Sequence, residues 1–312
     1  MIVVFAGGVG AARFLEGVVQ AVPAEQVTVI VNTGDDMTMH GLRICADFDI
    51  VTCTLAGVID QAQGWGIAGD TTECMTWLAK LGAPDWFKLG DRDLAIHIRR
   101  TQLLNEGQPL HEVGDQIRRA LGVASTILPM TNTPVETYIH TPIGRMHFEE
   151  YFVRHRTQIE VQRVEYAGSE QAAPAPGVVE AIHAAEAILI APSNPIVSVG
   201  TILAIPGVRE ALRNTAAPIV AVSPLVGGKA IKGPAVPLMI AHGYQPSAVG
   251  VAECYADFLD GIVIDHADAD LAETIRAQGL HVTVTDTIMR GLPEKRALAE
   301  AALSNAQQIM AA

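Results

Sequence analysis

The sequence has few aromatic residues, and no apolar run in it reaches the length that spans a membrane. Phe, Trp and Tyr make up 5% of the 312 residues, whereas hydrophobic residues together make up 49%. Ala, Val, Ile and Leu must therefore supply most of the packing, which favours helices laid on a parallel sheet. A chain of this length and composition excludes disorder and suits one large α/β domain or two small ones.

Basic residues are also scarce, because 21 Lys and Arg stand against 34 Asp and Glu, and the formal net charge is −13. This balance argues against nucleic-acid and anionic-membrane partners, both of which require clustered cations. No basic region precedes the short apolar stretch at the N-terminus, so we expect no secretory signal and a cytoplasmic protein. The four cysteines form no C-x-x-C pair, which indicates reduced thiols and argues against structural zinc.

The sequence lacks several common catalytic motifs. The sequence contains no H-E-x-x-H motif, no P-loop, and no recognisable Ser-His-Asp or Cys-His grouping among its scattered histidines. The residue inventory instead favours a reaction that depends on positioning and charge neutralisation. Phosphoryl transfer to an alcohol is a reaction of this kind.

Local patterns predict an α/β chain. A strand at Ile2 to Phe5, a helix at Ala11 to Val22 and a strand at Val27 to Val31 form one mononucleotide-type unit. The capping signature DTTE, with Asp70 as N-cap, predicts an amphipathic helix that ends at Gly82. Two more helical patterns follow, one after LGDRD and one within LHEVGDQIRRALG.

The second half of the chain returns to short strands. The segment VETYIHTPIGRMHFEEYFV predicts a hairpin that turns at Pro142, Ile143 and Gly144, and TQIEVQRVEYAG adds a strand. Four apolar strands then occur in AILIAPSNP, PIVAVSPLVGG, GIVID and HVTVTDT. We therefore predict a doubly wound, Rossmann-like and mostly parallel sheet in a single domain, 1–312, with a helical and β-hairpin insertion at 50–165.

Polar and glycine-rich segments follow four of the predicted strands. Because ligands bind at the carboxyl ends of parallel strands, these loops predict a site for a phosphorylated ligand, although loops are often polar in any case. The candidate binding residues from these loops are Gly7, Gly8, Gly10, Arg13, Asp36, Ser193, Asn194, Ser223 and Gly227. Lys88 and Arg92 are further cations that could balance phosphate charge, although exposed Lys and Arg are more often only solvated.

Two acidic segments, CADFD and LGDRD, suggest a divalent cation. Their carboxylates suit Mg²⁺, which takes one or two carboxylates together with water and phosphate oxygens. Asp47, Asp49 and Asp93 are the candidate metal ligands, and Asp49, Asp91 and Arg92 are the candidate catalytic residues. The alternative is that Asp91 caps the following helix and that Asp93 lies in its first turn. We expect the substitution Asp49→Ala to reduce turnover by orders of magnitude and to leave folding intact.

A nicotinamide dehydrogenase is the alternative that the first glycines suggest. The spacing of Gly8, Gly10 and Arg13 places a bulky cation where the dinucleotide fingerprint has its third glycine. Asp35 and Asp36 could bind a ribose, but the other acidic segments have no role in that chemistry. We therefore rank this alternative last.

The segments FAGGVGAARF, IVNTGDD, DFD, GWGIAGDT, KLGDRDLAIHI, ILPMTNTPVETYI, MHFEEYFV, APSNPIVSVG and VSPLVGG together resemble the 2-phospho-L-lactate transferase family of coenzyme F420 biosynthesis, from residue 1 to about residue 260. The resemblance implies Mg²⁺-dependent transfer from a guanylyl diphospho-linked donor to the ribityl hydroxyl of the deazaflavin Fo, with release of GMP. It also implies a homodimer. The transferred group is left open among lactyl, enolpyruvyl and glyceryl forms.

By the same resemblance, the glycine loop and the loops with Ser193, Asn194 and Ser223 hold the guanine nucleotide, while Asp49 and Lys88 lie near Fo. Asp91 is carried over with them. The alternative function is a non-catalytic nucleotide or nucleotide-sugar binding regulator that resembles the gluconeogenesis-factor proteins. Such a regulator needs the phosphate loops but does not need the second set of acidic residues.

Overall fold

A seven-stranded sheet with helices on both faces forms the centre of the molecule in a computed structural model, which describes residues 1–311. The strands are β1 (Ile2–Ala6), β2 (Val27–Val31), β3 (Met37–Met39), β4 (Leu42–Ile44), β5 (Thr126–Pro129), β6 (Glu136–Thr141), β7 (Gly144–His147), β8 (Arg163–Ala167), β9 (Ala187–Ile190), β10 (Ile219–Val222), β11 (Leu225–Val226), β12 (Lys229–Ala230), β13 (Gly261–Asp265) and β14 (His281–Thr285). The helices are α1 (Gly8–Ala21), α2 (Ala46–Leu55), α3 (Glu73–Lys80), α4 (Asp91–Asn105), α5 (Leu110–Ala120), α6 (Val178–Ala184), α7 (Val199–Leu203), α8 (Val208–Asn214), α9 (Ala235–Ala241), α10 (Ala248–Cys254), α11 (Ala272–Arg276) and α12 (Leu292–Ala311).

The order of strands in the main sheet creates a crevice at its centre. The order is β14-β13-β10-β9-β1-β2-β5, and every neighbouring pair is parallel. The chain runs from β1 through α1 to β2 on one side, and later enters β9 on the other side of β1. The strand order therefore reverses between β1 and β9, which is where open α/β sheets bind ligands.

Alternate residues of the central strands face two separate hydrophobic cores. Val4 and Val29 pack in the core that also contains α1 and α12, whereas Phe5 and Ile30 pack in the core on the opposite face. Both faces are covered, which explains why these strands read as continuous apolar runs. The predicted doubly wound α/β class is confirmed.

Helices α1 and α12 pack closely together on one face of the sheet. Gly17 lies directly against the backbone carbonyl of Lys295, where a β-carbon would not fit. The buried Lys295 ammonium pairs with Glu16 of α1. Within residues 1–311, no helix has both the length and the apolar character needed to cross a membrane.

The segment 50–165 contains the predicted helices and hairpin, but it also contributes to the main sheet. β6 and β7 turn at Pro142 and Ile143, and β8 pairs with β6 on the other side. Strand β5 lies inside this range and forms the edge of the main sheet next to β2, so the excursion consists of two insertions. β5 and the two small hairpins, β3 with β4 and β11 with β12, were not predicted.

Candidate active site

The glycine loop after β1 meets the loop after β9 at the central crevice. The Gly7 amide donates a hydrogen bond to Ser193 Oγ over 3.3 Å. A β-carbon on Gly10 would lie 2.5 Å from the Pro192 carbonyl oxygen, so only glycine allows α1 to approach this loop so closely. The Asn194 side chain accepts hydrogen bonds from two amides of its own loop. The structure thus brings together the predicted residues Gly7, Gly10, Ser193 and Asn194.

The first turn of α1 is an anion site that a carboxylate already shares. Gly8 has a left-handed backbone, with φ of 76°, and its amide donates a 2.8 Å hydrogen bond to Asp47 Oδ1. Within residues 1–311, the amides of Val9 and Gly10 have no hydrogen-bond acceptor. Two backbone donors at the positive end of the helix therefore remain for a phosphate.

A buried cluster of four acidic side chains lies beside this turn: Asp35, Asp36, Asp47 and Glu149. Burial raises the pKa of Asp36 to about 7, of Asp47 to about 6 and of Glu149 to about 8. Burial and the neighbouring carboxylates Asp47, Glu149 and Asp36 raise the pKa of Asp35 well above its usual value.

The fully buried Asn32 amide connects the acidic cluster to both loops. Its nitrogen lies 2.9 Å from Asp47 Oδ2, 3.0 Å from Asp35 Oδ2 and 3.3 Å from the Val197 carbonyl oxygen. Its own oxygen accepts from the Gly34 amide. Asn32, which is not among the site residues predicted from the sequence, therefore fixes the orientation of Asp47 toward Gly8.

The acidic cluster is incomplete as a metal site. Among residues 1–311, both Asp36 carboxylate oxygens and Asp35 Oδ1 are buried without a hydrogen-bond partner, and Arg43 forms a 3.5 Å ion pair with Asp36 Oδ2. In the part of the chain that the structure describes, no three His, Cys, Asp or Glu side chains are arranged to hold a metal ion. The donor set fits a cation that takes one or two carboxylates here and its other ligands from phosphate and water.

We predict that the ligand-free protein becomes less stable as the pH rises from about 6.5 to about 8.5, because its buried carboxyl groups then ionise. In the unfolded chain the same groups ionise near pH 4, so over this window the folded state binds more protons than the unfolded state. The buried histidines have lowered pKa values and act in the opposite sense only below about pH 6.5.

Thermal melts across this window test the prediction. The Tm is expected to fall as the pH rises, and Glu149→Gln is expected to make the fall shallower because it removes a group with a pKa of about 8. A Tm that stays constant or rises over the same window in both proteins would contradict it.

A pocket, here called the Asp49 pocket, is lined by residues of α2 other than Asp47, which contacts the glycine loop. Its walls combine apolar side chains with a few charged ones, and its volume is about 80 Å³. This volume is below the roughly 300 Å³ of a typical ligand site, so a large planar ligand would extend past the pocket rim to solvent. The residues that line it are Ile44, Ala46, Asp49, Ile50, Cys53, Ile59, Trp65, Gly66, Phe87, Lys88, Leu89, Asp93 and His97.

The charged wall of this pocket is built by α2 and α4. Arg100 is fully buried and holds Asp49 through two parallel hydrogen bonds, one of them 2.9 Å long from Nη1 to Oδ2. Such a bidentate pair fixes the orientation of a carboxylate. His97 lies beside the pair, and burial lowers its pKa to about 4. Arg100 is not among the site residues predicted from the sequence.

The three predicted metal ligands do not converge. Asp47 and Asp49 are two positions apart on α2, and side chains at this spacing do not share a helix face. Asp47 therefore contacts Gly8 and Asn32, whereas Asp49 contacts Arg100 in the pocket. Asp93 lines the same pocket as Asp49, accepts from the Gly90 amide, and has a pKa that burial raises to about 6. The expected metal set of Asp47, Asp49 and Asp93 is thus divided between two places.

The local sequence predicts that Asp70 and Asp91 each cap the helix that follows them, but in the structure each caps the helix that follows the other. The Asp91 carboxylate accepts from Thr71 Oγ1 at 2.5 Å and from the amides of Glu73 and Cys74, so it caps α3. The Asp70 carboxylate accepts from the amides of Arg92 and Asp93, so it caps α4. The prediction that Asp70 caps the helix after it was wrong, because α3 begins at Glu73 and its first amides bond to Asp91.

Because Asp91 caps α3, we predict that its side chain stabilises the folded protein. Asp91→Ala is expected to lower the free energy of unfolding because the first amides of α3 lose their capping acceptor, and Asp91→Asn is expected to lower it by much less. Asp70→Ala is the matched control at the other helix. Urea denaturation together with turnover tests the assignment, because loss of turnover in a fully stable Asp91→Asn would instead show a direct role in the reaction.

The remaining candidate residues lie around the two sites, and most of their polar groups are already engaged. Arg13 donates to the Met289 carbonyl, and Arg92 donates to the Ala68 carbonyl. The Ser223 hydroxyl bonds within its own loop, and the Gly227 amide donates to Asp268. Lys88 is exposed at the rim of the Asp49 pocket.

Comparisons with known proteins agree across the whole length of the chain. The chain is 43% identical over 314 residues to a phosphoenolpyruvate transferase from Streptomyces coelicolor, with 99% of this chain and 98% of the relative covered. It is 42% identical over 299 residues to a 2-phospho-L-lactate transferase from Methanothermobacter thermautotrophicus, with 96% of each chain covered.

Among solved structures, a member of the UPF0052 family from Bacillus halodurans matches with a TM-score of 0.66 over 97% of this chain and 98% of that one. Its sequence identity is 16%, so this match bears on the fold alone. The family model for 2-phospho-L-lactate transferase CofD matches residues 2–302. The chain therefore belongs to the 2-phospho-L-lactate transferase CofD family.

Proposed function

We propose that this protein transfers a phosphate-linked three-carbon acid, phospholactyl, phosphoenolpyruvyl or phosphoglyceryl, from a guanylyl diphospho-linked donor to the ribityl hydroxyl of the deazaflavin Fo. The products are GMP and F420-0 or its dehydro form. Family membership supports the transferase class and the place in F420 biosynthesis. The names of the relatives divide between the first two of these acids at nearly equal identity, so overall similarity does not choose between them.

One observation carries the proposal: the start of α2 serves two sites at once. Asp47 reaches the anion site at Gly8, while Asp49 and Ile50 line the separate pocket. The loop with Trp65 also joins the anion site to the pocket. Trp65 and Gly66 line the pocket, and Gly64 lies against Val9 of α1. A phosphate site and a largely apolar pocket that share one helix end suit a donor and an acceptor held side by side.

In the proposed reaction, the acceptor hydroxyl oxygen bonds to the phosphorus that carries the three-carbon acid. The bond from that phosphorus to the oxygen of GMP breaks, and the hydroxyl proton is released. The amides of Val9 and Gly10 would bind and orient the donor phosphates. Asp49, fixed in orientation by Arg100, would accept the hydrogen bond of the acceptor hydroxyl and orient its oxygen.

Mg²⁺ is part of this proposal. Asp35 Oδ1, which has no hydrogen-bond partner among residues 1–311, and the position of Asp47 beside the phosphate site suit a hard cation. Asp47 would hold it, and the ion would neutralise charge on the phosphates. Asp49 is less suited to this role, because both of its oxygens already accept from Arg100.

The net charge of −13 supports small-molecule substrates over nucleic acid. We also propose that the protein is cytoplasmic and forms a homodimer.

A single assay tests the function. Purified protein is mixed with Fo, Mg²⁺ and each guanylyl donor in turn, namely lactyl, enolpyruvyl and glyceryl, and GMP release is followed together with the mass of the product. We expect one or more donors to give GMP and the matching F420-0 form, and omission of Mg²⁺ to abolish both. Absence of GMP with all three donors, combined with tight GDP binding, would favour the nucleotide-binding regulator.

A further inference from the structure

His97 and Arg100 form a contact whose hydrogen-bond roles can be assigned. Arg100 Nη1 lies 3.1 Å from His97 Nδ1, within the buried wall of the Asp49 pocket. A guanidinium has only donors. Nδ1 must therefore be the acceptor in this contact, and a neutral imidazole with an accepting Nδ1 carries its proton on Nε2.

The competing arrangement has poorer geometry. His97 Nδ1 is also 3.5 Å from Asp49 Oδ2, so a proton on Nδ1 could in principle be donated to the carboxylate. That contact is longer than the one to Arg100, and a proton on Nδ1 would also face an Arg100 N–H. Asp49 already accepts from both Arg100 terminal nitrogens, so its demand for donors on this side is met.

We propose that Arg100 is a positioning residue that fixes Asp49 as an acceptor and His97 as an Nε2–H donor, so that the pocket wall recognises an alcohol. The Nε2 atom has no protein partner among residues 1–311, and His97 lines the pocket with Asp49. A hydroxyl group both donates and accepts one hydrogen bond, and it satisfies this pair completely. A carboxylate or phosphate would meet the Asp49 charge, so the same pair discriminates against anions.

This inference rests on the proposed function for the identity of the alcohol, which would be a ribityl hydroxyl of the acceptor. The tautomer itself is independent of that function. The two therefore need separate measurements.

The first measurement is a long-range ¹H–¹⁵N spectrum of ligand-free protein labelled with ¹⁵N-histidine at neutral pH. His97→Gln identifies the His97 signals by their absence. We expect Nε2 of His97 to be protonated and Nδ1 to be bare, and we expect Arg100→Met to abolish this preference. A wild-type spectrum with the proton on Nδ1, or a tautomer unaffected by Arg100→Met, overturns the proposal whether or not the protein is a transferase.

The second measurement separates acceptor from donor binding. Gln at position 97 places its amide nitrogen near the position of Nε2, whereas Asn places it near Nδ1. We expect the acceptor KM to be about tenfold higher in His97→Asn than in His97→Gln, with the donor KM the same in both, since one hydrogen bond to the acceptor is at stake. Equal acceptor KM values, or a change confined to the donor KM, would overturn the recognition of an alcohol. If the wild-type protein transfers nothing, the proposed function fails while the spectrum still decides the tautomer.

Discussion

The substitution Asp49→Ala is expected to lower the free energy of unfolding by about 3–5 kcal/mol, because it leaves the fully buried Arg100 guanidinium without its carboxylate partner. The sequence alone suggested that this substitution would leave folding intact. The ion pair changes that expectation, since an uncompensated charge in the interior costs far more than a lost surface pair.

A double-mutant cycle measures the effect. Chemical denaturation of Asp49→Ala, Arg100→Met and the double variant should show that the double variant is less destabilised than the sum of the single ones. A coupling of about 2 kcal/mol or more is expected for a buried, hydrogen-bonded pair. Additive single effects would show that the pair contributes little and would remove the basis for the positioning role of Arg100.

The catalytic expectation for Asp49 needs a variant that stays folded. Asp49→Asn keeps the size of the side chain and part of its hydrogen bonding, so its turnover can be measured at a temperature where the protein is demonstrably native. We expect turnover to fall by about 10²–10³-fold, the usual effect of removing one well-placed electrostatic group. Near-normal turnover of folded Asp49→Asn would exclude Asp49 from the reaction.

The second large effect is expected at Gly10. Glycine inside a helix normally destabilises it by about 0.5–1 kcal/mol relative to alanine, so Gly10→Ala would be stabilising if helix propensity alone decided. Its new β-carbon, however, would lie 2.5 Å from the Pro192 carbonyl oxygen, and backbone stands on both sides of the contact. Helix α1 must then move away from the loop with Ser193, which separates the two halves of the phosphate site.

We therefore expect Gly10→Ala to be less stable than wild type and to weaken GDP binding by at least about tenfold, which corresponds to about 1.4 kcal/mol. Gln20→Ala, at an exposed position of the same helix, is the control and is expected to have neither effect. Calorimetric titration with GDP and a thermal melt of both variants measure the difference. A Gly10→Ala protein with normal GDP affinity would place the nucleotide away from this crevice.

The central strands and the crevice were predictable because the signals for them are local or follow from a general rule. The runs at Ile2 and Val27 are continuously apolar because helices cover both faces of the sheet. The loops with Gly10 and Ser193 meet because the carboxyl ends of parallel strands share one edge. Neither inference requires a contact between distant side chains.

The predictions that failed or were missed depended on tertiary contacts. Asp47 and Asp49 are close in sequence, yet the helix they begin directs them to two different sites. Asp70 and Asp91 are both helix caps, as the local sequence predicts. Asp70, however, caps α4, which begins at Asp91, and Asp91 caps α3, which follows Asp70. Nothing local distinguishes these arrangements, because a capping carboxylate can come from any segment that lies nearby.

Arg100 was missed for a similar reason. A charged residue in a helix is normally solvated, and its burial became apparent only when α2 brought Asp49 against it. One signal was available: Asp93, His97 and Arg100 recur at helical spacing on one face of α4, which is the face that lines or supports the pocket. A polar stripe of this kind on a helix with buried neighbours is a reason to expect a site.

The most direct test of the account is a crystal structure of the protein with GDP, Fo and Mg²⁺. It should place the diphosphate within hydrogen-bond distance of the Val9 and Gly10 amides, the cation at Asp47, and a ribityl hydroxyl of Fo between Asp49 and His97. A nucleotide bound away from the first turn of α1, or an Fo molecule outside the Asp49 pocket, would contradict the claim that the start of α2 joins the two substrates.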